Sequence, residues 1–165
     1  MFYVNARAIV ERERDGITEI IIQTRNKPNQ PKQFELPGGG VELFESLTAA
    51  LRREVKEETG LEVTWIEGEE TRIDTTGINP NFAVECIRPF AAYQTILGGI
   101  DSVGYYFVCR AEGELVQEGD RTQNPHWITV DELSKRILED PLQFINIDCA
   151  AIKFYLKHRM NWPGH

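Results

Sequence analysis

Residues 46–59 carry the pattern that most constrains this chain: an amphipathic helix with glutamates on its apolar side. Ser46 is a good N-cap residue type, and Gly60 suits the position just past the C-terminus, where a left-handed residue closes a helix. At about 100° per residue, Leu47, Ala50, Leu51 and Val55 fall together and predict the core face. Ala49, Arg52 and Lys56 fall opposite, on the solvent side. Glu54 and Glu58 fall with the leucines, and Glu57 lies at the border. Carboxylates near a helix C-terminus oppose the macrodipole by about 0.3–1 kcal/mol each, and like charges at i, i+4 repel further. Arg53 can pair with Glu57 at i+4, but one cation is too few for this cluster. A bound divalent cation would resolve the imbalance, and all-carboxylate ligation suits Mg²⁺ or Mn²⁺. The alternative is a solvated acidic helix end, rich in Glu because Glu forms helices well.

The segment before the helix weighs on that choice. Gly38-Gly39-Gly40 lies just upstream, in Leu36-Pro37-Gly38-Gly39-Gly40-Val41. Glycines let a ligand or side chain approach the main chain closely. The run places open backbone beside the start of a helix that carries unbalanced acids.

Charge narrows the partners. The chain has 165 residues, with 18 Lys and Arg against 26 Asp and Glu, for a formal net charge of −8. That argues against broad binding to nucleic acid or anionic membrane, where basic patches supply the affinity. An anionic small substrate stays compatible if a divalent metal stands between it and the protein. The longest aliphatic run is Ile20-Ile21-Ile22, far short of a membrane span. The first residues show no basic stretch followed by an apolar one, so a cytoplasmic location is expected. Cys86, Cys109 and Cys149 have no CxxC spacing, which predicts neither a disulfide framework nor a zinc site. Three reduced, mostly buried thiols are expected, Cys109 within a strand.

The length predicts one domain, residues 1–165. Residues 2–11 and 19–25 read as strands, joined past Asp15-Gly16 by a long loop. After the helix, 61–74 reads as a strand with a bend, 75–81 as a loop, and 83–96 and 103–110 as strands. Residues 112–125 read as an acidic loop, 127–130 as a short strand, and 131–139 and 148–159 as helices. This order predicts an α/β fold with a mixed sheet between helices.

The segments together form a longer pattern: Gly39, five residues, Glu45, seven residues, Arg53-Glu54-Val55, one residue, Glu57-Glu58, one residue, Gly60-Leu61. This resembles the signature box of the Nudix hydrolase family, with every defining position filled. The resemblance implies an α/β/α sandwich that hydrolyses a nucleoside diphosphate linked to another moiety, using Mg²⁺ or Mn²⁺. Carried over by position, Glu54, Glu57 and Glu58 would ligate metal, helped by the carbonyl of Gly39 or Gly38. Arg53 would orient a glutamate, and Glu45 and Gly60 would support the box. Gly38 and Gly40 would lie along the substrate phosphates. Family members often draw a further carboxylate from outside the box. Among Glu112, Glu114, Glu118 and Asp120, Glu118 is the choice, because Glu-Gly-Asp before the Trp127 strand resembles the family's placement. Phe34, Tyr93, Phe144 and Asn146 are candidates for meeting a base. His126 and His158 read as surface or loop residues.

Two features depart from the family pattern. Leu43-Phe44 replaces the small turn residue usual before the first Glu of the box, so Phe44 would pack on the sheet or line the pocket mouth. The residues that mark dinucleoside-polyphosphate or ADP-ribose hydrolases downstream of the box are missing around Thr76-Gly77-Ile78-Asn79. A nucleoside or deoxynucleoside triphosphate, plain or oxidised, is therefore the default substrate. ADP-ribose or a nucleotide sugar is the alternative, and a non-hydrolytic nucleotide-sensing module is a third reading. Many members are dimers, so a homodimer is compatible with the resemblance.

Overall fold

Strands here are long where tight turns let them pair, as the first hairpin shows. The computed structural model describes residues 1–162. β1 (Phe2–Arg14) and β2 (Ile17–Arg25) are joined by Asp15-Gly16 alone, both at positive φ (53° and 78°). That is the turn geometry whose twist suits a hairpin, and it replaces the expected long loop. Two short strands follow, β3 (Gln33–Glu35) on β2 and β4 (Gly38–Gly40) on β1. The glycine run is thus a strand fragment, hydrogen-bonded along one edge to β1.

α1 (Leu47–Thr59) starts at Ser46, whose hydroxyl accepts from the Ala49 N–H, and ends at Gly60 in the left-handed conformation. β5 (Glu62–Ile66) is shorter than the expected 61–74 strand, because the chain turns into a single helical turn at Glu69–Thr71. β6 (Ile73–Asp74) and β7 (Glu85–Cys86) make a small separate ribbon. The Glu85 carboxylate accepts from the Leu47 N–H at 2.9 Å, so this ribbon also caps α1. The expected 83–96 strand is reduced to β7 and β8 (Ala91–Gln94), whereas β9 extends over Asp101–Glu112. The acidic loop is largely a hairpin: β10 (Glu118–Gly119) turns at Asp120-Arg121 into β11 (Thr122–Thr129). α2 (Val130–Glu139) and α3 (Asn146–Arg159) follow.

The main sheet runs β10-β11-β2-β1-β9-β5, with β3, β4 and β8 attached at its margins. β1 and β9 are parallel and the other pairs antiparallel, so the sheet is mixed. Its central strands are buried on both faces. Ala8, Val10, Ile21, Phe107 and Cys109 face Leu51 and Val55 of α1. Ile9, Ile20, Ile22, Tyr106 and Val108 face Leu133 and Ile137 of α2 and Ile152, Tyr155 and Leu156 of α3. This strand alternation requires a helical layer on each side, and the result is the expected α/β/α sandwich. No helix among the described residues is long and apolar enough to cross a membrane. Of the three thiols only Cys109 is buried; Cys149 is half-buried and Cys86 exposed, because its strand belongs to the small ribbon outside the sandwich.

Candidate active site

The C-terminal half of α1 lies on the edge where β1 holds β4. Amphipathic packing of Leu51 and Val55 fixes its rotation, and that rotation carries Glu54 and Glu58 inward. The Glu54 carboxylate rests on the backbone of Gly39: a Cβ there would stand 2.7 Å from it. Burial pushes the Glu54 pKa up against the nearby Arg53. Glu58 is buried at 5% exposure. It accepts from the Gly38 N–H at 2.7 Å and from Gln23 Nε2 at 3.0 Å. Burial, and then the neighbouring Glu35 carboxylate, push its pKa well up. Glu57 is exposed at the rim.

Arg53 organises the outer half of the site. It holds Glu45 at two points, donates to Glu54 Oε1 at 2.9 Å and to the Gly40 carbonyl at 3.0 Å, and reaches Glu57 at 3.5 Å. The i+4 partner expected from sequence is the longest of these contacts. Among the described residues, no three acidic, histidine or cysteine side chains form a ready-made metal cage. Arg53 draws Glu45, Glu54 and Glu57 to itself. Glu58, by contrast, has no ion pair among the described residues, and a buried carboxylate without a cation is costly. The donor types available, carboxylates of Glu54, Glu57 and Glu58 with the Gly39 backbone against Glu54, fit a hard divalent ion.

Sequence reasoning missed the inner half. Gln23 Nε2 bridges Glu58 and Glu35, 3.2 Å from the latter, while Gln23 Oε1 is buried with no partner. Arg25 donates to Glu35 at 3.2 Å, and Arg7 stands 3.6 Å from it. Period-2 alternation was the available signal: Ile21, Gln23 and Arg25 share a face, so two polar residues occupy core-side positions of β2.

The other predicted residues are spread more widely. Asn146 is the first residue of α3 and exposed. Phe144 is fully buried and pairs with Phe34 at 5.8 Å, so both serve the core. The Tyr93 hydroxyl is engaged by Asn5 at 2.6 Å. His126 is half-buried within β11, and His158 is exposed beside Phe154. Glu118 is exposed, and its neighbour Gly119 lies against the carbonyls of Glu57 and Glu58. Strand alternation therefore directs Glu118 to the face away from α1. Phe44 does not pack on the sheet: it is 98% exposed at φ 60°.

The acidic end of α1 thus closes on the glycine strand of an α/β/α sandwich. The NUDIX domain family model matches residues 1–146, and the chain belongs to that family: it is a Nudix hydrolase. Such hydrolases generally need divalent cations. Among solved structures, the Escherichia coli ORF135 protein is similar at 22% identity over 99% of this chain and 95% of its own, with a TM-score of 0.65. A protein of Jonesia denitrificans, described as a possible asymmetric diadenosine tetraphosphate hydrolase, aligns at 17% identity over 100% and 99%, with a TM-score of 0.69. The NUDIX domain of Shewanella oneidensis NrtR, solved with ADP ribose, aligns at 15% identity over 95% and 88%, with a TM-score of 0.60. At these identities the likeness is one of fold. No curated protein matches the chain in sequence.

Proposed function

We propose that the chain hydrolyses the diphosphate bond of a nucleoside or deoxynucleoside triphosphate, oxidised purine forms included, with Mg²⁺ or Mn²⁺ held by Glu54, Glu57, Glu58 and the Gly39 carbonyl. One observation carries the reading: Glu58 is buried against the Gly38 N–H with no ion pair among the described residues, while Glu54 lies on Gly39 one turn away. When bound, the divalent ions neutralise the phosphate oxygens and lower the pKa of an attacking water. Glu58 keeps a fixed orientation between Gly38 and Gln23. Arg53 steers Glu54, and Glu45 keeps Arg53 in place. Gly40, exposed with open space beside its Cα, leaves main chain free along the phosphates; Gly38, expected to share that role, is instead buried against Arg7 with its N–H spent on Glu58. Asn146, exposed at the start of α3, is assigned to the base. Glu57, exposed and only loosely held by Arg53, is the box carboxylate freest to accept a proton from water. Glu118 would need the β10–β11 hairpin to rearrange before taking that role.

ADP-ribose is the second reading, favoured by the ADP ribose bound in the similar NrtR domain. The test is release of phosphate, pyrophosphate or nucleoside monophosphate from a panel run with Mg²⁺, Mn²⁺ and chelator. The panel holds ribo- and deoxynucleoside triphosphates, oxidised purine triphosphates, ADP-ribose, nucleotide sugars and dinucleoside polyphosphates. Metal-dependent cleavage led by triphosphates is expected. Preference for ADP-ribose transfers the assignment to the second reading. Tight nucleotide binding without turnover supports a sensing module and overturns both.

A further inference from the structure

Behind the glycine strand lies a buried ion pair that the proposed chemistry does not use. Arg7 is 3% exposed and Asp148 fully buried. Arg7 Nε donates to Asp148 Oδ1 at 2.9 Å, and Nη2 donates to Oδ2 at 3.1 Å. The same pair grips one peptide unit on both sides. Arg7 Nη2 donates to the Leu36 carbonyl at 2.6 Å, and Asp148 Oδ2 accepts from the Leu36 N–H at 2.8 Å. The Tyr106 hydroxyl donates to Asp148 Oδ1 at 2.6 Å. Every oxygen of Asp148 is therefore engaged, and Arg7 is shared between α3 and the strand leading to Gly38.

The placement of that grip matters. Leu36 stands two residues before Gly38, whose N–H holds Glu58. Arg7 is also the backbone partner of Gly38 in the β1–β4 ladder. Asp148 stands two residues after Asn146, in the first turn of α3. The Ile145 N–H donates to the Phe34 carbonyl at 2.9 Å, which ties the same two segments once more. The end of the site assigned to the metal and the end assigned to the base are thus fastened through this ion pair, beside the Ile145–Phe34 backbone bond.

Cohesion alone does not call for such a device. Buried ion pairs contribute little net stability compared with apolar residues of similar volume. Directional hydrogen bonds from a guanidinium fork do fix relative position, which apolar packing does loosely. We propose that Arg7 and Asp148 are positioning residues: they clamp the Leu36 peptide so that the Gly38 N–H and Glu58 stay in register with the start of α3. This rests on the hydrolase site proposed above.

The test compares wild type with Arg7→Lys, which keeps a positive charge opposite Asp148 but loses the fork. Tyr106→Phe, which removes one donor to Asp148 and leaves the ion pair, is the second variant. Three quantities are read on folded protein: Tm, kcat and KM on the best panel substrate, and Mn²⁺ affinity by electron paramagnetic resonance without substrate. Loss of an outer partner of a metal site typically costs about 10–100-fold in affinity or activity. Arg7→Lys is expected to lose at least about tenfold in kcat and to bind Mn²⁺ more weakly, with a smaller change in KM. Tyr106→Phe is expected to move in the same direction by less. Wild-type kcat and Mn²⁺ affinity in folded Arg7→Lys, with only Tm lowered, would reduce the pair to a structural role and overturn the proposal. Should Arg7→Lys fail to fold, the same outcome in Tyr106→Phe overturns it. A wild type without turnover on any substrate sinks the proposed function alone, since Mn²⁺ affinity still reports on the clamp. A wild type that neither turns over nor binds Mn²⁺ sinks both.

Discussion

Arg53 holds Glu45 by two parallel hydrogen bonds, Nε to Oε2 and Nη2 to Oε1, each 2.8 Å long. This fork holds the Glu45 carboxyl below its ordinary pKa. It also turns the remaining guanidinium nitrogen toward Glu54 at 2.9 Å. A lysine has the charge but not the fork. Arg53→Lys is expected to lower kcat by about 10–100-fold, because Glu54 loses its outer guide. Stability should fall by about 1 kcal/mol or less, the pair being partly exposed. Steady-state kinetics beside thermal melting check this. Undiminished kcat would mean that contact with Gly39 alone orients Glu54.

Adjacent glycines should fail in different ways. At Gly39 the nearest obstacle to a Cβ is the end of the Glu54 side chain, at 2.7 Å, which can swing aside. Gly39→Ala should therefore fold and melt near wild type but lose most activity, because Glu54 is displaced. At Gly38 a Cβ would stand 2.5 Å from the Arg7 Cα and 2.6 Å from the Ala6 carbonyl oxygen, with φ at 147°. Backbone cannot step aside, so Gly38→Ala should lose several kcal/mol of stability, comparable with other severe backbone clashes. Chemical denaturation of both variants, with activity measured on the folded fraction, separates the two. Equal loss of stability would refute the distinction.

This contrast also marks what the sequence could reveal. The rotation of α1 was legible because helical period, N-cap and terminal glycine all lie within one short segment. Strand pairing was less so. The Asp15-Gly16 turn was visible, but the reach of β1 to Arg14 depends on β2 lying across from it. The acidic stretch 112–125 folds into a hairpin because β10 and β11 dock beside β2 and against the end of α1. Least legible was the inner polar network. Arg7 and Asp148 lie 141 residues apart, and Gln23 and Glu58 lie 35 apart. Each occupies a core-facing position whose partner is supplied only by the tertiary fold.

Phe44 is strained without packing in return. It sits at φ 60° and is 98% exposed, so its ring buries almost nothing. A left-handed conformation costs an ordinary L-residue about 1–2 kcal/mol, and Asn tolerates it better. Phe44→Asn should raise stability by about 1 kcal/mol, hence Tm by roughly 2–4 °C for a chain of this size. Differential scanning calorimetry checks the sign. A lower Tm would show that the ring has a partner which the fold of one chain does not display.

Cys109 gives a pH dependence with a definite sign. Burial pushes its thiol from an ordinary pKa of 9.0 up to about 12. The folded protein therefore keeps a proton that the unfolded chain releases above about pH 9. Such a group contributes stability that is complete below the unfolded pKa and is lost as pH rises toward the folded one. Over pH 9–12 the loss approaches about 1.4 kcal/mol per pH unit. Tyr106 and Tyr155 are also raised, from an ordinary value of 10.0, and burial raises Cys149 from 9.0, so the share of Cys109 is isolated by removing its thiol. Cys109→Ala should be less stable at pH 8 because of the cavity, yet lose stability less steeply between pH 9 and 10. Urea melts of both proteins at pH 8, 9 and 10 make the comparison, and parallel slopes would sink it. Alkylation at pH 8 gives an independent check. Exposed Cys86 should react first, half-buried Cys149 more slowly, and Cys109 only at the rate of unfolding.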